Sequence, residues 1–594
     1  MPSWQSTPPA SLAPRQELPV DCWMVLLDRS GLAQSLISGL RLQGATIVAV
    51  SAADRFTSSD GAFAINPEQP GDYDRLWQEL AALDLRPAGL LNLWATCGMN
   101  LPPYDSLALL LQSAGKHRQR FRQVEIVTDC LESVFDESVE EVYRSEILGL
   151  ALVLPSEYAG LQCRHIDVSL SADKLDRIAR QVLEEISATG GNLTIAYRSG
   201  IRWQKIWTPA PLRESSATAF RRGGVYLITG GIGGIGFSVA HHLLRNYQAR
   251  VLLTGRTPLP ERTEWTAWAV AHGEQDPITR RILRVQELER AGGEFLFLAA
   301  DVNDPEAMAG VFQRTCNQFG KIDGLVHAAG VPGGGMVASQ DLQEAVAIRR
   351  PKVQGSMVLA ELLQGTDPDF FLLCSSISAI APPATQGAYA AANAFQNYFA
   401  AYCRQTLKLP AIAIDFDAWQ EVGMAAEMIL PHGFESVKEE RMRTAMSVSE
   451  GMEVIHRVLA SWQGPQILAT TVPFETLVQA QTPPPKPRTE TRQRPPKEGP
   501  DTELAAVSEI WKELLAADSI EPSDNFFELG GHSLMGTMVL ARIQDRFGVV
   551  LSLRTLFESP TAQALADTVR TARVAIQAQQ SSNFTDEERE VFEL

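Results

Sequence analysis

Residues 225–236 read VYLITGGIGGIG, an apolar run followed by glycine at 230, 231, 233, 234 and 236. A dinucleotide pyrophosphate calls for that composition, because it needs side-chain-free backbone at a strand-to-helix turn and helix N–H groups aimed at its phosphates. The next stretch, FSVAHHLLRNYQARVLLTGR, has the pattern of an amphipathic helix leading into a second strand, the context such a turn requires. The expected chemistry is therefore hydride transfer, with Thr229, Gly230, Gly231, Gly233, Gly234, Ile235 and Gly236 as cofactor contacts. Arg256 closes the second strand, where an acidic residue would accept the ribose hydroxyls of NAD. A cation there suits a 2′-phosphate, so NADPH is the expected form. Further on, Asp301 and Val302 in FLFLAADVND fall at a strand terminus suited to the adenine. GLVHAAG then places the small residues Ala328, Ala329 and Gly330 toward the nicotinamide ribose.

The elements that must carry this site can be inferred from the rest of the chain. Its 594 residues are enough for three or four compact units, and 45% hydrophobic with 21% charged residues describes a globular chain. A net charge of -18 argues against nucleic acid or a membrane surface as partner, since both attract basic fields. Cys22, Cys97, Cys130, Cys163, Cys316, Cys374 and Cys403 stand singly, without Cys-x-x-Cys spacing, so neither a metal site nor a disulfide framework is expected. With no apolar leader and no run of 18 apolar residues, a cytoplasmic location is expected. The stretch QTPPPKPRTETRQRPPKEGP (481–500) lacks apolar residues and reads as an extended tether, here bounded at 481–503. Everything before it alternates strand and helix, the arrangement of a parallel sheet. Residues 23–50 repeat the strand–turn–helix–strand plan of 225–256, but their turn offers only Gly31 among Asp28, Arg29 and Ser30. An anionic phosphate has little room there. The fold class is thus α/β with two Rossmann-like doubly wound halves, a structural half (1–215) without cofactor and a catalytic half (216–480).

A tyrosine, Tyr389 in YAAANAFQN, is followed four residues later by Asn393 rather than by the lysine of an ordinary short-chain reductase. Residues 1–480 resemble the ketoreductase of modular polyketide synthases and of mixed peptide–polyketide synthases. In that family the tyrosine is followed by Ala-x-x-Asn, and the lysine sits earlier in a helical Lys-Val-x-Gly pattern. PKVQGSMVLAELL supplies Lys352 in the matching place and FFLLCSSISAI supplies Ser376, at intervals of 24, 13 and 4 residues from Lys352 to Ser376, Tyr389 and Asn393. The glycine turn has the spacing of short-chain dehydrogenases, and DFDAWQEVGMA (415–425) resembles the approach to the family's lid helix. The resemblance implies that Tyr389 delivers a proton, Ser376 holds the carbonyl, Lys352 lowers the phenol pKa and holds the ribose, and Asn393 supports a water chain. The family's stereochemical markers, a Leu-Asp-Asp loop or a tryptophan eight residues before the tyrosine, are both missing: the loop reads PGGG (332–335) and position 381 is alanine. The hydroxyl configuration therefore stays open.

Residues 504–575 resemble an acyl or peptidyl carrier domain, a small all-α four-helix fold. FFELGGHSL marks Ser533 as the residue that would accept 4′-phosphopantetheine, and His532 inclines the match toward the peptidyl type. A serine at a helix N-terminus tolerates the phosphate it acquires, and Leu534 and Met535 would offer partner enzymes an apolar contact. Residues 576–594 form an acidic tail, either a docking segment or a solvated end. Together the resemblances imply NADPH-dependent reduction of a carrier-tethered ketoacyl thioester, β-keto or α-keto. The implied partners are a phosphopantetheinyl transferase and ketosynthase, acyltransferase or adenylation, and condensation units. Competing readings are a silent scaffold presenting the carrier, a free-standing reductase of a diffusible ketone, and a thioester reductase. The first predicts loss of Tyr389 or of the glycine turn, the second makes Ser533 superfluous, and the third places the carrier ahead of the reductase.

Overall fold

A computed structural model describes residues 1–10, 20–59, 61–158, 160–171, 174–188, 194–210, 212, 220–423, 442–461, 464–479, 502–515, 519–526, 529, 533–549, 551, 555–556 and 559–573. The chain divides into two compact units, one of residues 1–427 with 444–481 and one of 428–443 with 482–594. The first unit holds two sheets. A ten-stranded sheet runs Pro2–Thr7, Ile201–Trp207, Thr194–Arg198, Gln162–Val168, Gln123–Asp129, Gly89–Asn92, Cys22–Leu26, Thr46–Ala52, Ala62–Ile65 and Thr57–Ser59. Its interior is parallel and its two edges antiparallel. A seven-stranded, wholly parallel sheet comes next in the chain, in the order Glu294–Ala299, Arg250–Gly255, Val225–Thr229, Gly324–His327, Phe370–Ser376, Ala411–Phe416 and Gln466–Ala469. Parallel strands covered on both faces should be continuously apolar. Val225–Thr229, Gly324–His327 and Ala411–Phe416 are accordingly buried at every position.

The two halves meet on one helix. Gly387–Tyr402 carries Ala388, Ala390, Ala391, Ala392 and Ala394, and its short side chains let the Glu146–Glu157 helix of the structural half approach closely. Gly149 marks the crossing, where an added Cβ would lie 2.1 Å from the Ala391 amide nitrogen. Polar contacts fix the register. Arg349 reaches Glu146 and Asp105 at 2.5 Å each, while Lys205 and the Tyr398 hydroxyl both meet Glu132.

The second unit packs Val507, Ile510, Trp511, Val539, Ile543, Leu565 and Val569 into a core of its own. Its first helix starts at Thr502, two residues inside the stretch read as linker, because buried Glu503 pairs with Arg573 and belongs to this fold. The tether at 481–500, the boundary at 215/216, His532 and the tail lie outside the described residues. No described helix is long and apolar enough to cross a membrane.

Gly149→Ala forces backbone against backbone, so it is expected to lower stability by about 1–3 kcal/mol, the usual scale of overpacking. The urea midpoint of the first unit checks this: it should fall in G149A while the second unit's stays put.

Candidate active site

The glycine turn is shaped by close backbone approach. Gly230 adopts φ +66°, and a Cβ there would sit 2.8 Å from the Ala328 carbonyl oxygen. A Cβ on Gly236 would sit 2.5 Å from the Gly230 oxygen, and one on Gly234 2.3 Å from the Gly423 nitrogen. The turn opens the helix Gly234–Tyr247, whose N-terminus has no side-chain cap. The helices starting at Pro277, Pro305 and Leu342 are each capped by an aspartate, Asp276, Asp304 and Asp341. Uncapped donors beside bare backbone fit an incoming phosphate. The equivalent turn of the structural half is different in kind. There Asp28 accepts the Ser30 N–H at 3.0 Å and the Ala33 N–H at 2.9 Å, so a carboxylate occupies the donors.

Around the turn, Arg256 stands exposed one residue beyond its strand. Asp301 accepts the backbone N–H and the side-chain amide of Asn303, at 2.9 and 2.8 Å. Val302 is buried against Gly355, where a Cβ would come within 2.8 Å of its methyl group. Ile235 is half-buried against the catalytic core, as is Ala328, and Ala329 and Gly330 come next at the end of Gly324–His327.

Sequence reasoning passed over His327. Its Nε2 lies 3.1 Å from the Pro351 carbonyl oxygen, which can only accept, so Nε2 carries the proton and Nδ1 accepts from the Thr229 hydroxyl at 2.7 Å. Burial, and then the charge of Lys352, depress its pKa to about 3, which keeps the ring neutral. One imidazole thus joins the base of the glycine turn to the residue preceding Lys352. The only hint in sequence is a histidine inside an otherwise apolar strand end.

Ser376, Tyr389 and Asn393 come together at the ends of Phe370–Ser376 and on Gly387–Tyr402. Burial raises the Tyr389 pKa, and the side chains of Ser376 and Asn393 pull it back by favouring the ionised form. Asn393 donates to the Tyr389 carbonyl at 2.7 Å, while among the described residues its buried Oδ1 has no partner. Ser376 continues into a hydroxyl chain: its Oγ is 3.3 Å from that of Ser378, which donates to Gln386 at 2.9 Å.

The acceptors that hold Lys352 were not foreseen from the sequence. Its buried amine donates to the Cys374 carbonyl and, at 2.9 Å, to Gln396 Oε1; among the described residues it is not bonded to the Tyr389 hydroxyl. Gln396 lies on the same helix face as Tyr389 and Asn393, seven residues on, or about 10 Å along the axis. Burial lowers the Lys352 pKa to about 8, against a raising influence from the Cys374 thiol and Asp415. Asp415, fully buried, is itself raised to about 6 by desolvation, and accepts from Ser375 at 2.7 Å and Gln466 at 2.6 Å.

Comparison with known proteins places this geometry. Residues 224–421 match the KR domain family, and residues 505–569 match the phosphopantetheine attachment site family. The chain carries a KR domain and a phosphopantetheine attachment site. Residues 224–421 are thus similar to KR domains, and solved ketoreductase structures share their fold. Polyketide synthase PksL of Bacillus subtilis (strain 168) is 28% identical over 446 residues, covering 70% of this chain and 9% of that protein. Polyketide synthase PksM of the same organism is 25% identical over 461 residues, covering 76% and 10%. The chain thus spans a small fraction of these relatives. Among solved structures, an A1-type ketoreductase superposes with a TM-score of 0.64 at 20% identity, covering 81% of this chain and 94% of that one. The adenylation, ketoreductase and pseudo-Asub portion of a keto acid-selecting NRPS module gives 0.68 at 22% identity, covering 82% and 40%. In the attachment-site family region, Ser533 is the first residue of the helix Ser533–Phe547.

Thr229→Val keeps the shape of the KR domain's turn but leaves His327 Nδ1 buried without its donor. An unsatisfied buried acceptor costs about 1–3 kcal/mol. Chemical denaturation of T229V should show that loss, and H327Q, whose amide oxygen accepts from Thr229, should lose less.

Proposed function

We propose that this chain reduces a ketoacyl group held as a thioester on phosphopantetheine, β-keto in the first instance, to the hydroxyacyl thioester, using NADPH. The observation that carries the reading is the uncapped, glycine-lined helix N-terminus at the same sheet edge as Ser376, which with Asn393 bonds Tyr389. A carrier serine in the same chain supports a tethered rather than a diffusible substrate. Tethering raises the local concentration of substrate, so intrinsic recognition can stay weak.

Thr229, Gly230, Gly231, Gly233, Gly234, Ile235 and Gly236 would hold the pyrophosphate, Arg256 the 2′-phosphate, Asp301 and Val302 the adenine, and Ala328, Ala329 and Gly330 the ribose next to the nicotinamide. When bound, the dinucleotide supplies the hydride that goes to the ketone carbon. Ser376 donates a hydrogen bond to the ketone oxygen and orients it. Tyr389 gives that oxygen its phenolic proton, so a C=O becomes CH–OH and the phenol is left ionised. Ser376 and Asn393 favour the phenolate, and Lys352, fixed by Cys374 and Gln396, would hold the nicotinamide ribose. Asn393 Oδ1, buried and among the described residues unpartnered, is placed to hold the water that returns the proton. Ser533 would receive its arm from a phosphopantetheinyl transferase, and ketosynthase, acyltransferase or adenylation, and condensation units would load and remove the chain.

The test is intact-mass analysis of the phosphopantetheinylated chain loaded with β-ketoacyl and α-ketoacyl groups, with NADPH or NADH. A gain of two hydrogens with NADPH on the β-ketoacyl arm is expected, Ser533→Ala should not load, and Tyr389→Phe should slow the gain by about 10²–10⁴-fold. No gain on any substrate would leave a scaffold that only presents the carrier.

A pH profile tests Lys352. Its depressed pKa means the cation is present below about 8 and is lost as pH rises through that value. The kcat/KM of reduction should fall on the alkaline side with an apparent pKa near 8, and Lys352→Arg, which stays charged, should move that limb upward.

A further inference from the structure

The structural half does more than cover the tyrosine helix: it reaches into the loops that frame the site. Glu157, the last residue of Glu146–Glu157, is 5% exposed. Its Oε2 accepts the Val337 N–H at 2.7 Å and its Oε1 accepts the Thr385 N–H at 2.9 Å. Those two amides belong to different segments. Val337 lies in the stretch after Gly324–His327, and Thr385 lies just before the tyrosine helix. The segments also bond each other through Gly335 N–H and the Thr385 carbonyl at 2.8 Å. Gln112, again from the structural half, donates to the Val337 and Gln340 carbonyls at 2.8 and 2.9 Å, and Tyr104 donates to Gln340 at 3.1 Å.

Thr385 shows that this grip is not slack. Its φ is +74°, a conformation that a β-branched residue avoids. Strained backbone of this kind persists only where surrounding contacts over-determine it, and it clusters where geometry matters for function. The next residue, Gln386, accepts from Ser378, which in turn lies against Ser376. A continuous path therefore runs from Glu157 through Thr385, Gln386 and Ser378 to the serine that holds the ketone.

We infer that Glu157 is a positioning residue: by stapling the 331–341 and 381–386 segments together, the half without a cofactor turn sets the substrate side of the active site. The inference rests on the reductase reading above. Chemistry explains the residue type. A carboxylate accepts at both oxygens, whereas a glutamine accepts at one and turns an N–H₂ toward the other amide. Among the described residues no cation pairs with Glu157. Tyr104 and Tyr158 face it, Arg349 beyond Tyr104 is already paired with Glu146 and Asp105, and Arg120 lies toward Tyr158. Burial consequently raises the Glu157 pKa to about 7, which the two N–H bonds only partly oppose. A folded pKa above the unfolded one means that ionising this group subtracts from stability as pH rises past the ordinary glutamate value. A residue that costs stability when charged, yet holds two loops together, one of them strained at Thr385, is explained by what it positions.

The experiment compares wild type, Glu157→Gln and Gln405→Ala in the full chain. Q405A removes a different contact between the halves, that to Ser133, and serves as control. At pH 8, E157Q is expected to melt no lower than wild type. In hydrogen exchange, its peptides covering 331–341 and 381–386 should exchange at least about tenfold faster, with the rest of the chain unchanged. Steady-state kinetics should show KM for the ketoacyl thioester raised about fivefold or more, the hydroxy diastereomer ratio shifted and KM for NADPH held; displacement of a positioned substrate by about 1 Å has effects of this order or larger. Q405A should change none of these. Exchange at the two loops matching wild type, or a uniform rise across both halves with a lowered melting temperature, overturns the inference. Exchange needs no turnover, so it decides on Glu157 even where wild type reduces nothing, the outcome that sinks the reductase reading. An active wild type with E157Q unchanged in KM and product ratio sinks the inference alone.

Discussion

Everything in the catalytic unit depends on one buried helix. Gly387–Tyr402 is covered at nearly every position, by the parallel sheet on one side and by Glu146–Glu157 on the other. A helix buried on nearly every side has no solvent face and must be enclosed by two partners. The catalytic sheet supplies only one of them. The structural half supplies the second, which gives a physical reason for some two hundred residues arranged as a nucleotide-binding fold whose own turn is filled by Asp28. The alanine run is what that enclosure requires: any larger side chain at 390 or 391 would hold the halves apart and move Tyr389 with them.

How much of this was legible in sequence depended on how local the cause was. The glycine turn could be read directly, because its requirements, a preceding apolar strand, bare backbone and a following helix, lie within twenty residues. The unlike character of the first turn was legible too, since Asp28 is itself part of it. Lys352 could be named only through a family pattern, because nothing within its own helix relates it to Tyr389. Its amine direction was not legible at all: Gln396 and the Cys374 carbonyl capture it, and that capture exists only once helix and strand are packed. His327 and Glu157 escaped for the same reason. Each looks like an ordinary strand-end or helix-end residue, and each acquires meaning from partners between 24 and 228 positions away.

Packing so tight a site has an electrostatic consequence. His327, Asp415, Glu157 and Lys352 are all buried, and desolvation moves every one of them toward its neutral form, to about 3, 6, 7 and 8. The two bases go down and the two acids go up, as a shared cause demands. Around neutrality the outcome is uneven. The imidazole is wholly neutral and serves as a fixed donor–acceptor bridge, whereas the amine still carries its charge.

That unevenness bears on how proton transfer can work here. A dry pocket strengthens each hydrogen bond to the phenolate, but it also raises the cost of forming that phenolate, as the elevated Tyr389 pKa records. Direct contact with a lysine would offset the cost most simply. This fold instead gives the phenol two side-chain partners that oppose the cost, Ser376 and Asn393. Both favour the ionised form, while Lys352 is held still by two acceptors of its own. With its pKa raised, the phenol keeps its proton, which is the state that the proposed role of proton donor requires before hydride arrives.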